Sequence, residues 1–282
     1  MIVAVMEGYL RPLGLSDALT ALAMRPHLVP LAGGTDYYPA RVVQAPDEAV
    51  LDITAVPGLR RIERRADHWW IPCLATWADL IETLLPSAFD ALKQAARQVG
   101  GVQIQNAGTV VGNVCNASPA ADGIPCLLAL EATVELASSA CVRTLRLEDF
   151  VLGPRKTARR PDELVLGLRI PCTHETAQSV FIKLGARRYL VISIAMVAAV
   201  ITRASDGRII RARIAVGSCS ATAQRLSALE AALIGTHGDT LTVLDEHLAP
   251  LSPIDDVRAT AVYRRDAIGT LLRRAATVQE ER

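Results

Sequence analysis

Two short glycine-bearing stretches decide what this sequence can fold into, Val29-Pro-Leu-Ala-Gly-Gly-Thr-Asp36 and Ile104-Gln-Asn-Ala-Gly-Thr-Val-Val-Gly-Asn113. Consecutive glycines permit positive φ and a close approach of the main chain. Successive backbone N–H groups can then point into one concavity that suits phosphate oxygens. Thr35, Thr109 and Ser118 add hydroxyl groups, and neither stretch contains Lys or Arg. Each stretch alone is more typical of a tight turn, but together they predict two turns that jointly hold a nucleotide.

The elements around the first stretch predict an α+β fold. Ser16 is placed to cap a helix that runs to Met24, and a short apolar strand, Leu28 to Leu31, leads into the glycine turn. Further short strands are expected at Val50–Ile53 and Leu59–Ile62. The order helix, strand, glycine turn, helix is typical of an α+β or βαβ-like unit.

The second stretch lies in a segment poor in large apolar residues, Gly100 to Ala121, which we expect to be irregular and functional. After it, an apolar helix is expected at Pro125–Leu130 and a hairpin at Thr133–Ala137 and Cys141–Leu147.

The pattern changes after Pro171. Three long β-like runs follow, with Asp206-Gly207 as the turn between the last two: Val180–Leu184, Val191–Thr202 and Ile209–Val216. The remainder is predominantly helical as far as Ala276. We therefore predict two domains, residues 1–173 and residues 174–282, the second a small antiparallel sheet with helices on one side.

Composition excludes several classes of protein. Of the 282 residues, 51% are hydrophobic and 21% are charged. The net charge is +1, and no block of like charge occurs. This distribution disfavours nucleic acid and anionic membranes as partners. The longest apolar run, residues 190–201, is too short to span a bilayer, which takes about 20 residues. The first ten residues lack the basic start of a signal peptide, so we expect a soluble protein that is not secreted. The six cysteines are dispersed and form no C-x-x-C, so we expect reduced thiols in a cytoplasmic protein without a metal of its own. No nucleophile–base pair stands out, and we predict no catalytic side chain.

Beyond these patterns, the chain resembles the FAD-binding medium subunit of the molybdenum hydroxylases, the family of xanthine dehydrogenase, aldehyde oxidase and carbon monoxide dehydrogenase. The family pattern reads A-G-G-T-[DE]-L, then I-R-N-x-G-T-x-G-G-N, then S-P-x-x-D-x-x-P-x-L-L-A-L. The last part is represented here by Ser118-Pro119-Ala-Ala-Asp122-Gly-Ile-Pro125-Cys-Leu-Leu-Ala-Leu130. Further matches include Gly153-Pro-Arg-Lys-Thr157, Lys183 and Arg187-Arg188, so the resemblance spans residues 9 to 275.

The resemblance implies a two-part FAD-binding domain of the vanillyl-alcohol-oxidase type, followed by the small C-terminal domain. It also implies that the two turns wrap the FAD diphosphate and adenosine, that Asp122 binds ribose or ribityl hydroxyls, that Val165 contacts the adenine or flavin, and that Lys183 lies near the isoalloxazine. We add Tyr189 as a residue over the flavin. The full set of expected cofactor-binding residues is Val29, Pro30, Leu31, Ala32, Gly33, Gly34, Thr35, Asp36, Gly108, Thr109, Val110, Val111, Gly112, Asn113, Ser118, Asp122, Val165, Lys183 and Tyr189.

The function implied by the resemblance is that of an electron-transfer subunit of an oxidoreductase. Electrons would come from [2Fe–2S] clusters on a small partner subunit, fed by a molybdenum-cofactor large subunit, and would leave FAD for NAD⁺, oxygen or another acceptor. Family habit implies a dimer of heterotrimers. Unclustered cysteines also indicate that an extra [4Fe–4S] insert is absent.

Two positions depart from the family pattern. Gln105 stands where the family has Arg, and Val111 stands where it has the first glycine of G-G-N. Valine restricts φ to negative values, so the turn forms only if that glycine serves packing rather than a positive φ. These departures keep open an alternative, a flavin-free assembly subunit that retains the fold. A stand-alone flavin oxidoreductase is the other alternative, disfavoured because no substrate domain or flavin-linking motif is visible.

Overall fold

A small mixed sheet carries the first glycine turn. In this computed structural model, which describes residues 5–6, 8–41 and 48–277, the sheet has the order β1-β2-β4-β3, and β2 and β3 both pair in parallel with β4. Its strands are β1 Val5–Met6, β2 Tyr9–Leu10, β3 Val29–Leu31 and β4 Val50–Asp52. The glycine turn follows β3 directly, so it lies at the carboxyl end of a parallel pair, where ligands commonly bind.

Helix α1, Leu15–Met24, connects β2 to β3. The predicted cap was wrong, because the helix begins one residue before Ser16, behind Gly14, and no side chain caps it. Ala18 and Leu22 bury the apolar face that the sequence pattern indicated.

The central sheet is antiparallel throughout, with the order β5-β6-β11-β7-β8. Its strands are β5 Glu63–Arg64, β6 His68–Pro72, β7 Thr133–Ala137, β8 Val142–Arg146 and β11 Leu164–Pro171, and a two-stranded sheet beside it comprises β9 Val151–Gly153 and β10 Lys156–Thr157. The hairpin expected near residues 133–147 is confirmed, whereas the strand predicted over residues 59–62 is wrong: it is a turn whose Leu59 and Ile62 are buried.

Helices occupy most of the chain between β6 and β7, including residues 100–121, where an irregular segment was expected. They are α2 Trp77–Glu82, α3 Asp90–Ala96, α4 Val102–Ala107, α5 Val110–Asn116 and α6 Gly123–Ala129, followed by the short α7 Leu147–Phe150. The second glycine stretch is thus two short helices joined at Gly108-Thr109. Thr109 caps α5 by accepting a hydrogen bond from the Gly112 N–H at 3.0 Å, a local signal that was overlooked.

The C-terminal part is a four-stranded antiparallel sheet, order β12-β13-β14-β15, with helices against it. Its elements are β12 Gln178–Leu184, β13 Ala195–Arg203, β14 Ile209–Gly217, β15 Gln224–Arg225, α8 Ser227–Leu233 and α9 Ala261–Ala276. The predicted Asp206-Gly207 turn is confirmed, and Gly207 has φ +84°.

Strand β13 serves two hydrophobic cores at once. Ala195, Val197 and Ala199 pack with α8 and α9, while Met196 and Ala198 pack into the N-terminal core, on which α6 also lies. Burial on both faces explains the uninterrupted apolar run at residues 194–201. Within residues 5–6, 8–41 and 48–277, no helix is both long and apolar enough to cross a membrane.

Candidate functional site

The two glycine turns are in direct contact. A Cβ placed on Gly33 would lie 1.9 Å from the carbonyl oxygen of Ala107, and a Cβ on Gly108 would lie 3.0 Å from the Thr35 hydroxyl oxygen. Gly33 does not have a positive φ, so glycine is required there by proximity rather than by backbone conformation. The absence of side chains at these two positions is what allows the turns to meet.

One cavity of about 530 Å³ opens between the turns, well within the range of cofactor pockets. The structure brings most of the predicted residues to its walls. They are Val29, Pro30, Leu31, Ala32, Gly33, Gly34, Thr35, Asp36, Gly108, Thr109, Val111, Gly112, Asn113 and Val165.

The first turn presents unpaired main-chain donors. Among the residues that the structure describes, no group accepts a hydrogen bond from the backbone N–H of Gly33, Gly34, Thr35 or Asp36. Unsatisfied N–H groups beside a cavity favour an anionic or strongly accepting ligand. On the opposite wall, the buried Asn113 side-chain oxygen also has no hydrogen-bond partner.

Three arginines outside the predicted set of cofactor-binding residues also line the cavity. Arg41 lies over the Tyr37 ring at 3.8 Å, Arg155 donates to Asp36 at 2.6 Å, and Arg159 donates to the Glu163 carbonyl oxygen at 2.7 Å. Its residues alone indicate a solvated basic turn at Arg155, whereas the family resemblance of the stretch 153–157 implies a place near a partner or the flavin phosphate.

Trp77 was also missed, and it forms the cavity floor. Its backbone N–H donates to the Gly108 carbonyl oxygen at 3.1 Å, and its ring would lie 2.7 Å from a Cβ on Gly123. This tryptophan is 2% exposed, so it supports the second turn from beneath. Trp69 and Trp70 lie on β6 and are not among the residues that line the cavity.

Asp122 and Lys183 form a buried ion pair instead of lining the cavity. The Lys183 ammonium donates to Asp122 Oδ2 at 2.6 Å, and the Ser193 hydroxyl donates to Oδ1, also at 2.6 Å. Burial raises the pKa of Asp122, while Lys183 and Ser193 partly counteract it. Both carboxylate oxygens are therefore engaged within the protein, and no local pattern of residues indicates this pairing.

Lys183 and Tyr189 border a second, much smaller cavity of about 30 Å³. It adjoins the first, because Val99 lines the large cavity and its neighbours Gln98 and Gly100 line the small one. Tyr189 is 63% exposed, with the Arg188 guanidinium 5.1 Å from its ring centre.

Two further predicted residues lie behind the second turn. Val110 is fully buried, and its N–H donates to the Ala75 carbonyl oxygen at 3.0 Å. Ser118 uses its hydroxyl oxygen to accept from the Ala120 N–H at 3.3 Å. Neither lines the cavity.

The two departures from the family pattern are accommodated locally. Val111 is a helical residue of α5, 2% exposed, and does not have a positive φ, so a valine fits. The Gln105 side chain donates to the Arg97 carbonyl oxygen at 3.2 Å. No group of three His, Cys, Asp or Glu side chains suited to a metal ion occurs among the described residues.

Fold and cavity together define a two-part nucleotide-binding protein with a small antiparallel C-terminal unit. Comparison with protein families gives the class: residues 4–173 match the FAD-binding domain of molybdopterin dehydrogenases, and residues 181–278 match the C-terminal domain of the carbon monoxide dehydrogenase flavoprotein. The chain belongs to the family of FAD-binding medium subunits of molybdenum hydroxylases.

Individual relatives agree over nearly their whole length. The chain is 30% identical over 272 residues to the nicotine 6-hydroxylase medium subunit of Paenarthrobacter nicotinovorans, covering 94% of each chain. It is 30% identical over 275 residues to the xanthine dehydrogenase FAD-binding subunit of Escherichia coli O157:H7, covering 95% of this chain and 94% of the relative.

Among solved structures, carbon monoxide dehydrogenase from Oligotropha carboxidovorans aligns with a TM-score of 0.86 at 27% identity, covering 98% of this chain and 97% of the other. The chain is accordingly an FAD-binding oxidoreductase subunit, and its relatives are medium subunits of multi-subunit complexes.

Proposed function

We propose that this chain is the electron-transfer subunit of a molybdenum hydroxylase, holding FAD between its two glycine turns. The observation that carries the proposal is the contact between the turns, which leaves the N–H groups of residues 33–36 without protein acceptors beside a cofactor-sized cavity. An isolated tight turn would need neither the contact nor the cavity.

The residues present fit FAD. Its diphosphate needs a close approach of the main chain and hydrogen-bond donors. Glycine allows that approach, because a Cβ on Gly33 would collide with the Ala107 carbonyl oxygen and a Cβ on Gly112 would collide with the Thr109 hydroxyl. Three arginines at the cavity supply positive charge. Apolar walls from Leu31, Ile53 and Val165 suit the rings of a dinucleotide.

Bound FAD supplies the redox chemistry, because it can accept and release electrons. The protein's part is to position it: Gly33 to Asp36 and Gly108 to Asn113 hold the diphosphate and adenosine, and Val165 contacts the rings. We further propose that the small adjoining cavity marks the isoalloxazine side, with Lys183 and Tyr189 beside it. Asp122 binds a ribityl or ribose hydroxyl once its ion pair with Lys183 has rearranged. Ser118 stabilises the loop that follows the second glycine turn.

The partners follow from the proposed role. Electrons come from [2Fe–2S] clusters on a small subunit, which receives them from a molybdenum-cofactor large subunit, and they pass from FAD to NAD⁺, oxygen or another acceptor. We propose a dimer of heterotrimers in the cytoplasm, with domain bounds at residues 1–173 and 174–282. The two separate family matches, residues 4–173 and 181–278, support that division.

The experiment that tests this function is co-purification of the chain from its native source, with mass spectrometry of bound proteins and extraction of cofactors. We expect stoichiometric FAD, an iron–sulfur subunit and a molybdenum subunit, and flavin bleaching when the substrate of the complex is added. A complex that contains the partners but no flavin would instead establish the flavin-free assembly role.

A further inference from the structure

Arg155 is fixed at the junction of the two turns. It lies between β9 and β10 in the left-handed region, with φ +57°, and its N–H donates to the Ala117 carbonyl oxygen at 2.9 Å, just beyond the end of α5. Non-glycine residues adopt this conformation only where surrounding contacts hold them there. The backbone of Arg155 is therefore tied to the helix that follows the second glycine turn.

Its side chain links the first turn to the end of α5 through a single nitrogen. Nη1 donates to Asp36 Oδ2 at 2.6 Å, in the first turn, and to Asn116 Oδ1, at the end of α5. A guanidinium carries five N–H groups, and Nε and Nη2 have no hydrogen-bond partner in the described part of the chain. Arg155 lines the cavity, so these donors remain available to a ligand held there.

Charge balance at the cavity singles out Arg155. The diphosphate of FAD is anionic, the turns themselves contain no Lys or Arg, and Asp36 places a carboxylate on the same wall. Of the other cavity arginines, Arg41 is paired with Glu48, and Arg159 donates to backbone carbonyl oxygens. Arg155 both offsets the Asp36 charge and retains free donors, which makes it the best placed cation.

We propose that Arg155 is a direct ligand of the FAD diphosphate, positioned for that contact by Asp36 and Asn116; the inference rests on the proposed binding of FAD between the turns. Nη1 serves as the anchor, and Nε and Nη2 donate to phosphate oxygens. Charge-assisted hydrogen bonds of this kind are stronger than those from neutral backbone amides.

The test is the dissociation constant of FAD for the full-length chain freed of flavin, followed by the change in flavin fluorescence. Arg155→Gln should weaken binding about ten-fold, as expected for loss of hydrogen bonds to a charged group at a partly exposed site, and Arg155→Lys should recover part of the loss. Arg208→Gln is the matched control. The Arg208 side chain is 59% exposed and pairs with Asp206 at 2.6 Å, and the Arg155 side chain is 60% exposed and pairs with Asp36 at 2.6 Å.

A second variant, Asp36→Asn, tests whether Arg155 binds the diphosphate itself or only holds the first turn and α5 together. It also provides a measurement if Arg155→Gln does not fold. It breaks the ion pair but keeps the arginine charge and its free donors, so we expect FAD to bind less tightly than in wild type but more tightly than in Arg155→Gln. If Asp36→Asn binds FAD more tightly than Arg155→Gln does, direct contact is supported. If the two variants lose equal affinity for FAD, or if Arg155→Gln loses none, direct contact is overturned. A wild-type chain that binds no FAD would instead refute the proposed function, so the two failures are distinguishable.

Discussion

Gly33 sets how closely the two turns approach, and its replacement tests that closeness. We predict that Gly33→Ala weakens FAD binding at least about ten-fold and lowers the free energy of unfolding by about 1–3 kcal/mol, the usual range for overpacking. The new Cβ would lie 1.9 Å from the Ala107 oxygen, so one turn must move away. Flavin titration and urea denaturation measure the two effects.

Gly153→Ala is the matched control, because a Cβ there meets nothing within 4 Å and the residue does not have a positive φ. It should bind FAD like wild type. Equal affinities for Gly33→Ala and Gly153→Ala would show that contact between the turns is unimportant for the cofactor.

The ion pair between Asp122 and Lys183 gives a second prediction, on stability. Lys183→Met should lower the free energy of unfolding at pH 7 by about 3–5 kcal/mol, since it leaves a buried carboxylate without its cation. Adding Asp122→Asn should restore much of that loss. Urea denaturation of both variants is the measurement, and a double variant no more stable than the single one would argue against the pairing.

The pH dependence of Lys183→Met follows from the direction of the Asp122 shift. Burial already raises the pKa of Asp122, and losing Lys183 raises it further. A carboxyl whose pKa is raised on folding stabilises the protein fully below its unfolded pKa, about 4, and that contribution is lost as the pH rises through the folded value. The variant should therefore recover stability as the pH is lowered towards 4, and a flat profile would be inconsistent with a buried acid.

At the scale of single residues, sequence reasoning found Gly33 and Gly108 because a glycine turn is a local signal, and it found Thr109 as a hydroxyl of the same turn but overlooked its role as the cap of α5. It did not predict the contacts of Arg155 with the first turn or the partner of Asp122. Their contacts join residues 119 and 61 positions apart, and no local pattern encodes such separations.

Helix α9 is anchored to the C-terminal sheet by one buried arginine. Arg264, 1% exposed, donates to the carbonyl oxygens of Ile194 and Ser218 and, at 2.6 Å, to Asp256 Oδ1. Asp256 is its counter-ion. Desolvation opposes ionisation of Asp256, but hydrogen bonds from Arg258 and Arg264 outweigh it and hold its pKa well below the ordinary value.

We predict that Asp256→Asn lowers the free energy of unfolding at pH 7 by about 3 kcal/mol, because a buried cation loses its partner. A lowered carboxyl pKa stabilises the fold above the unfolded value near 4, and this contribution is lost as the pH falls through the lowered folded value. The deficit of the variant should thus shrink below pH 4. Urea denaturation across this range checks it, and a deficit that grows on acidification would contradict the assignment.

Most strands and helices were predictable at the scale of elements, and the misses have physical causes. Leu59 and Ile62 are apolar because their side chains are buried in the N-terminal core from an irregular segment, and they do not pair in a sheet. Residues 102–116 form helices despite their Gly and Asn content, because Thr109 caps α5 and Trp77 packs beneath. Tertiary burial overrides local propensity in both places.

The N-terminal core and the C-terminal sheet are joined by a charged cluster around Glu131. Glu131 follows α6 with φ +54° and accepts hydrogen bonds from Arg211 at 2.6 Å and Arg213 at 2.8 Å, with Arg225 at 3.4 Å. Because α6 packs against β13 and β14, this cluster holds the C-terminal sheet on the N-terminal core.

We predict that Glu131→Gln lowers the free energy of unfolding by about 1–3 kcal/mol, as for hydrogen bonds to a charged group. Glu148→Gln, which removes an exposed carboxylate paired with Arg146, should change it by less than about 1 kcal/mol. Thermal or urea denaturation compares the two. Similar losses in both variants would mean that the cluster is no more than a surface ion pair.

At the scale of the whole molecule, the order of the two units could be predicted, but their packing could not. The change of pattern after Pro171 indicated a separate antiparallel sheet. Two features depend on how the units pack together. Strand β13 is buried on both faces, and three arginines of that sheet converge on Glu131.

The most direct measurement is a crystal structure of the full-length chain with FAD bound. We predict that the diphosphate oxygens lie within hydrogen-bonding distance of the backbone nitrogens of Gly33 to Asp36 and of the second turn, in the cavity described above. A diphosphate bound elsewhere, with those nitrogens facing solvent or protein, would contradict the central claim.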